Sequence, residues 1–242
     1  MCTEFRRRRV IFSWYYLGVA TWPRRLPSPL GEIMRANTST LIRAAAITPM
    51  ALAAALCFAG TANAAVSVNW SCQATVLGLP QTSSMTTSVT GTAPGSVTAG
   101  SPVAITIAPG SSTVPTTPVT GVTVVSISNM KMLIPVPANS TYVSSSASGG
   151  THPGTTALVG SNVELTVPGP IPGGSTYTPP AVTINVKASA AGSITSKYAG
   201  TSYASPGMTF TTTLKPAIGS NFNAATACYP NPSPTLTNTT VT

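Results

Sequence analysis

Residues 66–76 read VSVNWSCQATV, and this stretch decides the fold class of the chain. Apolar residues occupy every even-numbered position from Val66 to Val76, and polar residues occupy every odd-numbered position from Ser67 to Thr75. Successive side chains of a β-strand point to opposite faces, so a period of two indicates a strand with one face in a core. The stretch therefore predicts a half-buried strand.

The same alternation recurs along the chain and is interrupted by Gly- and Pro-rich turns. It predicts a Ser/Thr-rich edge strand at 82–92, one long strand or two short ones at 119–136, and a hairpin around Gly160-Ser161-Asn162. The remaining predicted strands are 103–108, 141–146, 157–159, 163–167, 182–188 and 208–214. About eight or nine short strands with this spacing indicate an all-β fold, a single antiparallel β-sandwich of the immunoglobulin-like type.

The residues upstream of the first strand have the composition of an export signal. Met34 begins a segment with two arginines, which is followed by an uncharged run at 44–60 and by Ala62-Asn63-Ala64. A basic region, an apolar region and an A-x-A site make up a secretory signal peptide, here cleaved after Ala64. A transmembrane anchor is the alternative, but the apolar run is shorter than the ~20 residues that a span needs.

The predicted organisation therefore has three parts. Residues 1–33 are an N-terminal extension that arises from a misplaced start codon, and a twin-arginine leader around Arg6–Arg9 is the alternative. Residues 34–64 are the signal peptide, and residues 65–242 are a β-sandwich domain with a Pro/Thr-rich tail. We expect the mature chain to be secreted or held in the cell envelope, without a transmembrane segment.

The charge of the chain lies mostly in the predicted leader. All eight arginines precede Ala65, which leaves four lysines against one acid, Glu164, in the mature part. Nucleic-acid binding needs clustered Lys and Arg to neutralise phosphates. The four lysines are scattered, so the sequence excludes nucleic acid as an expected partner.

Two cysteines remain after the predicted cut, Cys72 and Cys228. An even pair in an exported chain predicts a disulfide, and two unpaired thiols are the alternative. The bond would tie the first strand to the tail and so indicates a single domain. We expect the tail itself to be extended and to pack only near this bond.

The inventory of catalytic side chains is very small. The chain has no Asp, and residues 65–242 contain one Glu, Glu164, and one His, His152. Glycoside hydrolysis needs paired carboxylates, a metal centre needs several ligands, and a serine triad needs Glu164 and His152 to meet. Glu164 is predicted on the outward face of a strand, with Lys187 as a possible cross-strand partner, and His152 in a loop. We therefore predict no catalytic site, no cofactor and no metal.

Five segments together carry a resemblance to a known group of proteins. They are Trp70–Ala74, Val136–Thr141, Val167–Gly174, Gly200–Tyr203 and Cys228–Pro232. On these segments the chain resembles, over residues 34–242, small secreted actinobacterial proteins, chiefly mycobacterial, of unknown function, some of which are labelled cyclase or dehydratase. The resemblance implies an exported β-rich domain with a Cys near each end. It implies no catalytic residue.

Two function classes remain. The first is a non-catalytic secreted or envelope module that binds a surface partner, whether an envelope protein, a glycan or a lipid. The second is a carrier of a lipid or small apolar molecule in a cavity between the sheets, lined by Met130, Met132 and aromatic residues. A cavity of several hundred cubic ångströms favours the carrier, and a solid core favours the module.

Overall fold

Sixteen β-strands make up the secondary structure of the part of the chain that the computed structural model describes, residues 64–76, 78–118 and 121–242. In chain order they are β1 (Ala64–Val76), β2 (Leu79–Thr92), β3 (Ser96–Val97), β4 (Pro102–Pro109), β5 (Ser112–Thr113), β6 (Val122–Pro135), β7 (Ser140–Ser148), β8 (Thr155–Val159), β9 (Asn162–Val167), β10 (Ile171–Pro172), β11 (Thr176–Tyr177), β12 (Ala181–Ala188), β13 (Gly192–Ser196), β14 (Met208–Pro216), β15 (Phe222–Pro230) and β16 (Thr237–Val241). The predicted extension at 1–33 and the signal peptide, apart from Ala64, lie outside the described residues.

Strand β1 follows the predicted alternation. Val68, Trp70 and Cys72 on its apolar face are at most 3% exposed, and they belong to the main hydrophobic core. The strand pairs antiparallel with β2 on one side and with β15 on the other, in a register that places Cys72 opposite both Ser83 and Cys228. The stretch that decides the fold class therefore lies in the middle of a sheet.

Eleven strands form one large antiparallel sheet. Their order is β7-β12-β4-β2-β1-β15-β14-β6-β9-β8, and β10 pairs with β6 outside this path. The two end strands approach each other, because Ser145 Oγ on β7 donates a hydrogen bond of 3.0 Å to Thr156 Oγ1 on β8. The all-β antiparallel class is thus confirmed, and the sheet is nearly closed and barrel-like.

The predicted edge strand at 82–92 is an edge along part of its length. β2 pairs with β1 from Leu79 to Gly91, but it pairs with β4 only from Val89 onward. The polar, hydroxyl-rich part of β2 before Val89 accordingly has one free edge, and its side chains are mostly exposed. From Val89 to Thr92 the edge prediction is wrong, because β4 covers this part.

The predicted hairpin is confirmed, since β8 and β9 pair with Val159 opposite Asn162 and leave Gly160 and Ser161 in the turn. Gly160 has φ +60°, a conformation that glycine adopts without strain. The segment at 119–136 contains one long strand, β6, among its described residues.

The predicted loose tail is wrong. β16 pairs antiparallel with β13 and parallel with β3, and Thr237, Thr239 and Val241 on its inner face are at most 7% exposed. Thr239 Oγ1 donates a hydrogen bond of 2.7 Å to the carbonyl of Pro94, so its buried hydroxyl is satisfied. Threonine is β-branched and packs well in strands. The inner face of β16 can therefore form from Thr237, Thr239 and Val241 without a large apolar side chain.

Candidate functional site

A cavity of about 320 Å³ lies against the inner face of the large sheet. Its floor consists of inward-facing side chains from four neighbouring strands, β1, β15, β14 and β6. Cys72 of β1, one of the two disulfide residues, lines the cavity, and Leu214 of β14 and Val124 of β6 line it farther along the sheet. The cavity is open to solvent on one side.

Small side chains at inward positions create this space. Ala74 on β1 and Ala224 on β15 occupy positions in the inward registers that larger residues such as Trp70 fill elsewhere. Thr212 on β14 and Thr226 on β15 complete the small-residue patch. Protein interiors are close-packed, so a void of this size needs such a run of short side chains. These residues lie on three neighbouring strands, so the patch is visible in the sequence only once the pairing of those strands is known.

The rest of the lining comes from two other parts of the chain. One is the free-edge part of β2, where Gln81 to Met85 line the cavity. The other is the segment after β5, which is held to the residues just before β11 by hydrogen bonds from Val114 N to Ser175 O at 3.0 Å and from Gly174 N to Val114 O at 2.9 Å. Tyr177 of β11 also faces the cavity. The first part is held by its ladder with β1, and the second by hydrogen bonds outside the long ladders.

The lining is apolar and uncharged. Among the described residues that line the cavity there is no Asp, Glu, Lys, Arg or His. Its polar side chains are the Gln81 amide and hydroxyls, including those of Thr212 and Thr226, whose Oγ1 atoms are 3.2 Å apart. Burial raises the pKa of the Tyr177 hydroxyl above its ordinary value, so this hydroxyl stays protonated at neutral pH. The cavity suits an uncharged ligand.

The cavity differs from the one expected from the sequence. Met130 and Met132, predicted as lining residues, are buried in the core, and they are not among the residues that line the cavity. Met85 lines it instead, together with the aromatic residues Phe210 and Tyr177. The two methionines lie on the part of β6 that pairs with β9, and both belong to the main hydrophobic core.

Cys72 and Cys228 are joined by a disulfide, as predicted. The two residues lie directly opposite each other in the pairing of β1 with β15. The bond therefore links two neighbouring strands of the cavity floor. It does not anchor the tail, because β16 follows it and is held by its own ladder.

Glu164 and His152 are not joined to each other. Glu164 Oε1 accepts a hydrogen bond from Lys131 Nζ at 2.8 Å, and Thr166 Oγ1 donates to the same oxygen at 3.3 Å. The prediction that Lys187 pairs with Glu164 across two strands is wrong, because Lys187 lies on β12, which pairs with β4 and β7 and not with β9. His152 contacts Thr151 Oγ1 through Nδ1 at 3.2 Å. The structure brings no catalytic set together from these two residues.

Within the described residues, no group of three or more His, Cys, Asp or Glu side chains is arranged to hold a metal ion. The same part of the chain contains no helix with the length and apolarity that crossing a membrane requires.

Comparison with known proteins places the fold next to one solved structure. No protein-family model matches the chain, and no curated protein matches it. The crystal structure described as "Putative membrane anchored protein from Corynebacterium diphtheriae" aligns with a TM-score of 0.50 at 17% sequence identity. The alignment covers 74% of this chain and 38% of the other, so this chain spans well under half the length of that protein. At this identity the likeness concerns the fold alone.

Proposed function

We propose that this protein is a non-catalytic carrier or receptor that binds a small, uncharged, apolar ligand, such as a lipid chain, in the cavity beside the disulfide. The observation that carries this proposal is the cavity itself, about 320 Å³ with a mostly apolar lining. This volume lies at the lower end of the range of about 300–1,000 Å³ that is typical of small-molecule sites. A cavity of this size favours the carrier over the surface module.

The chemistry of the lining supports the same proposal. An apolar ligand gains roughly 0.8 kcal/mol for each methylene group that it removes from water. The walls offer aliphatic and aromatic surface from residues such as Val76, Ile127 and Phe210, and their polar side chains are hydroxyls and the Gln81 amide. Ionised groups need a partner when buried, and the described lining supplies none.

The expected place of action is the cell envelope or the extracellular medium. Disulfides persist in oxidising compartments, and the Cys72–Cys228 bond agrees with export. The signal peptide at 34–64, the immunoglobulin-like sandwich architecture and the resemblance to small secreted actinobacterial proteins stay predictions from the sequence and are part of this proposal.

A surface-binding module is the second candidate. Val143 on β7 is 63% exposed, and Leu158 and Val159 on β8 are 46% and 49% exposed. These strands are the two ends of the large sheet, where backbone groups and apolar side chains are both accessible. A protein, glycan or lipid surface is the partner class that this candidate implies.

Native mass spectrometry of the protein purified from its own culture tests the proposal. We expect a population with an added mass that matches one or a few small apolar molecules and disappears after extraction with organic solvent. A protein that carries no added mass, and that takes up no apolar probe after extraction, would contradict the carrier and leave the surface module.

A further inference from the structure

Two buried hydroxyls meet on the floor of the cavity. Thr212 on β14 and Thr226 on β15 are 9% and 7% exposed, and their Oγ1 atoms form a hydrogen bond of 3.2 Å. Both residues line the cavity among apolar neighbours such as Phe210, Leu214 and Ala224. This Thr212–Thr226 pair is the polar feature of a floor that is otherwise apolar.

The pair has one hydrogen more than it uses. Each hydroxyl can donate one hydrogen bond and accept two. The bond between them consumes one donor, whichever atom supplies it, and neither hydroxyl has a further hydrogen-bond partner among the residues that the structure describes. An unmatched buried donor is unfavourable, so an acceptor that enters the cavity would be stabilised there.

The required acceptor is uncharged. A carboxylate or phosphate would also accept this hydrogen bond, but burying an ionised group requires a counter-charge. The described lining residues supply no cation. An ester, ketone or alcohol oxygen satisfies the free donor without this cost.

We infer that the ligand is a medium-length amphiphile with an uncharged oxygen-bearing end, and that this end is seated inward on Thr212 and Thr226 while the hydrocarbon part fills the apolar cavity. This inference rests on the proposed function. One water molecule occupies about 30 Å³ in the liquid, and we take this as the volume of one heavy atom with its hydrogens. A cavity of about 320 Å³ then holds a chain of about ten heavy atoms. The alternative orientation places the polar end at the mouth, where Thr82 and Ser83 offer hydroxyls.

Four probes of about nine or ten heavy atoms, the size that the cavity holds, distinguish these orientations. They are 1-octanol and methyl heptanoate, which carry neutral oxygens from an alcohol and an ester, octanoate at pH 8, which is ionised, and 1-chlorooctane, which is a poor acceptor. Their affinities are measured by titration calorimetry or by displacement of a fluorescent probe. The proteins are the wild type, the double variant Thr212→Val/Thr226→Val, and the rim control Thr82→Val/Ser83→Ala.

The double variant removes both hydroxyls and keeps the side-chain shape, a change that is close to neutral for folding. We expect it to weaken 1-octanol or methyl heptanoate binding roughly 3- to 10-fold, the loss of one neutral hydrogen bond, and to leave 1-chlorooctane unchanged. The rim control changes two other lining residues, and it should lose less affinity for 1-octanol than the double variant does, because the polar end is seated on Thr212 and Thr226. Octanoate should bind the wild type at least about 30-fold more weakly than 1-octanol.

Each other result overturns a defined part of the account. If octanoate binds as tightly as 1-octanol, the polar end lies at the mouth, and this inference alone is overturned. The same conclusion follows if the rim control loses affinity and the double variant does not. Binding of 1-chlorooctane with no preference for either oxygen probe also overturns it. If none of the probes binds the wild type, the proposed function fails as well.

Discussion

At the scale of single residues, Glu164 and the buried aromatic residue Tyr198 are both placed by contacts with neighbouring side chains. Glu164 is held by Lys131 and Thr166, and the side chains of the ion pair are 17% and 48% exposed for Glu164 and Lys131. Tyr198 is 2% exposed and packs on Trp70 with ring centroids 5.1 Å apart, and its hydroxyl has no hydrogen-bond partner among the described residues. Each residue yields a prediction about stability.

Replacing Glu164 with Gln should change the free energy of unfolding by less than ~0.5 kcal/mol. Exposed ion pairs contribute about 0.2–1 kcal/mol, and the Gln amide oxygen can still accept from Lys131 and Thr166. Urea denaturation of the variant and the wild type measures the difference. A loss above about 1.5 kcal/mol, or an enzymatic activity of the pure protein that vanishes in Glu164→Gln, would contradict this assignment.

Replacing Tyr198 with Phe should raise the free energy of unfolding by about 1 kcal/mol at pH 8, because it removes an unsatisfied buried hydroxyl and keeps the ring contact with Trp70. Burial raises the pKa of Tyr198 above its ordinary value of 10.0. The protonated side chain is favoured in the fold, so its contribution to stability is complete below pH 10 and is lost as the pH rises beyond that value.

The advantage of Tyr198→Phe over the wild type should therefore grow by about 1 kcal/mol between pH 8 and pH 11. Denaturant midpoints at the two pH values measure it. Tyr203→Phe is the matched control, because Tyr203 lies outside the core and packs edge-on against Tyr229. A variant that is less stable than the wild type at pH 8 would indicate that the Tyr198 hydroxyl has a partner in solution.

At the scale of elements, pairing between strands holds the described part of the chain together. The sequence predicts some of these strands clearly and others only weakly. Strands rich in Val and Ile, such as β4, β9 and β12, follow from their alternation. β13, β15 and β16 consist mainly of Ala, Ser, Thr, Asn and Gly, and most of their inward positions, apart from Ile194 on β13, carry small or hydroxyl side chains that give a weak apolar signal. These three strands complete the packing around the first group.

The tail is the element where sequence and structure differ most, and Leu236 tests the difference. Leu236 is 5% exposed, and its carbonyl lies so close to Gly91 that a Cβ at position 91 would overlap it. Leu236→Ala should lower the free energy of unfolding by roughly 2–5 kcal/mol, as core Leu→Ala changes do. Asn238→Ala, at an exposed position of β16, is the control and should cost less than ~0.5 kcal/mol. Equal, small effects of both changes would indicate that the tail packs only near the disulfide, as the sequence predicts.

The disulfide between β1 and β15 should stabilise the domain. Cys72→Ser should lower the free energy of unfolding by roughly 2–5 kcal/mol, because the bond closes a loop with a sequence separation of 156 residues and restricts the unfolded chain. Urea unfolding of the oxidised and the reduced wild type provides a comparison without a mutation. Equal midpoints of the two forms would leave the bond without this role.

At the scale of the whole described domain, the sequence predicts the class of the fold and the disulfide but not the cavity. Alternation within a segment reports which residues face a core, and it does not report which strands become neighbours. Ala74 and Ala224 create a void only because β1 and β15 pair and place both on one face. Met130 and Met132 attract attention in the sequence because methionine lines many adaptable sites, but β9 packs beside them. Long-range pairing therefore decides the site.

Filling the cavity with a larger side chain tests directly whether the cavity binds an apolar ligand. Ala224→Leu places a larger side chain into the lining, whereas Ala225→Leu places the same side chain on the exposed face of the same strand. Binding of 1-octanol is measured calorimetrically for both variants and the wild type, and far-UV circular dichroism checks the fold. We predict that Ala224→Leu lowers the affinity at least about 10-fold, since each lost methylene contact contributes roughly 0.8 kcal/mol, and that Ala225→Leu binds as the wild type. Unchanged binding by a folded Ala224→Leu protein would contradict the claim.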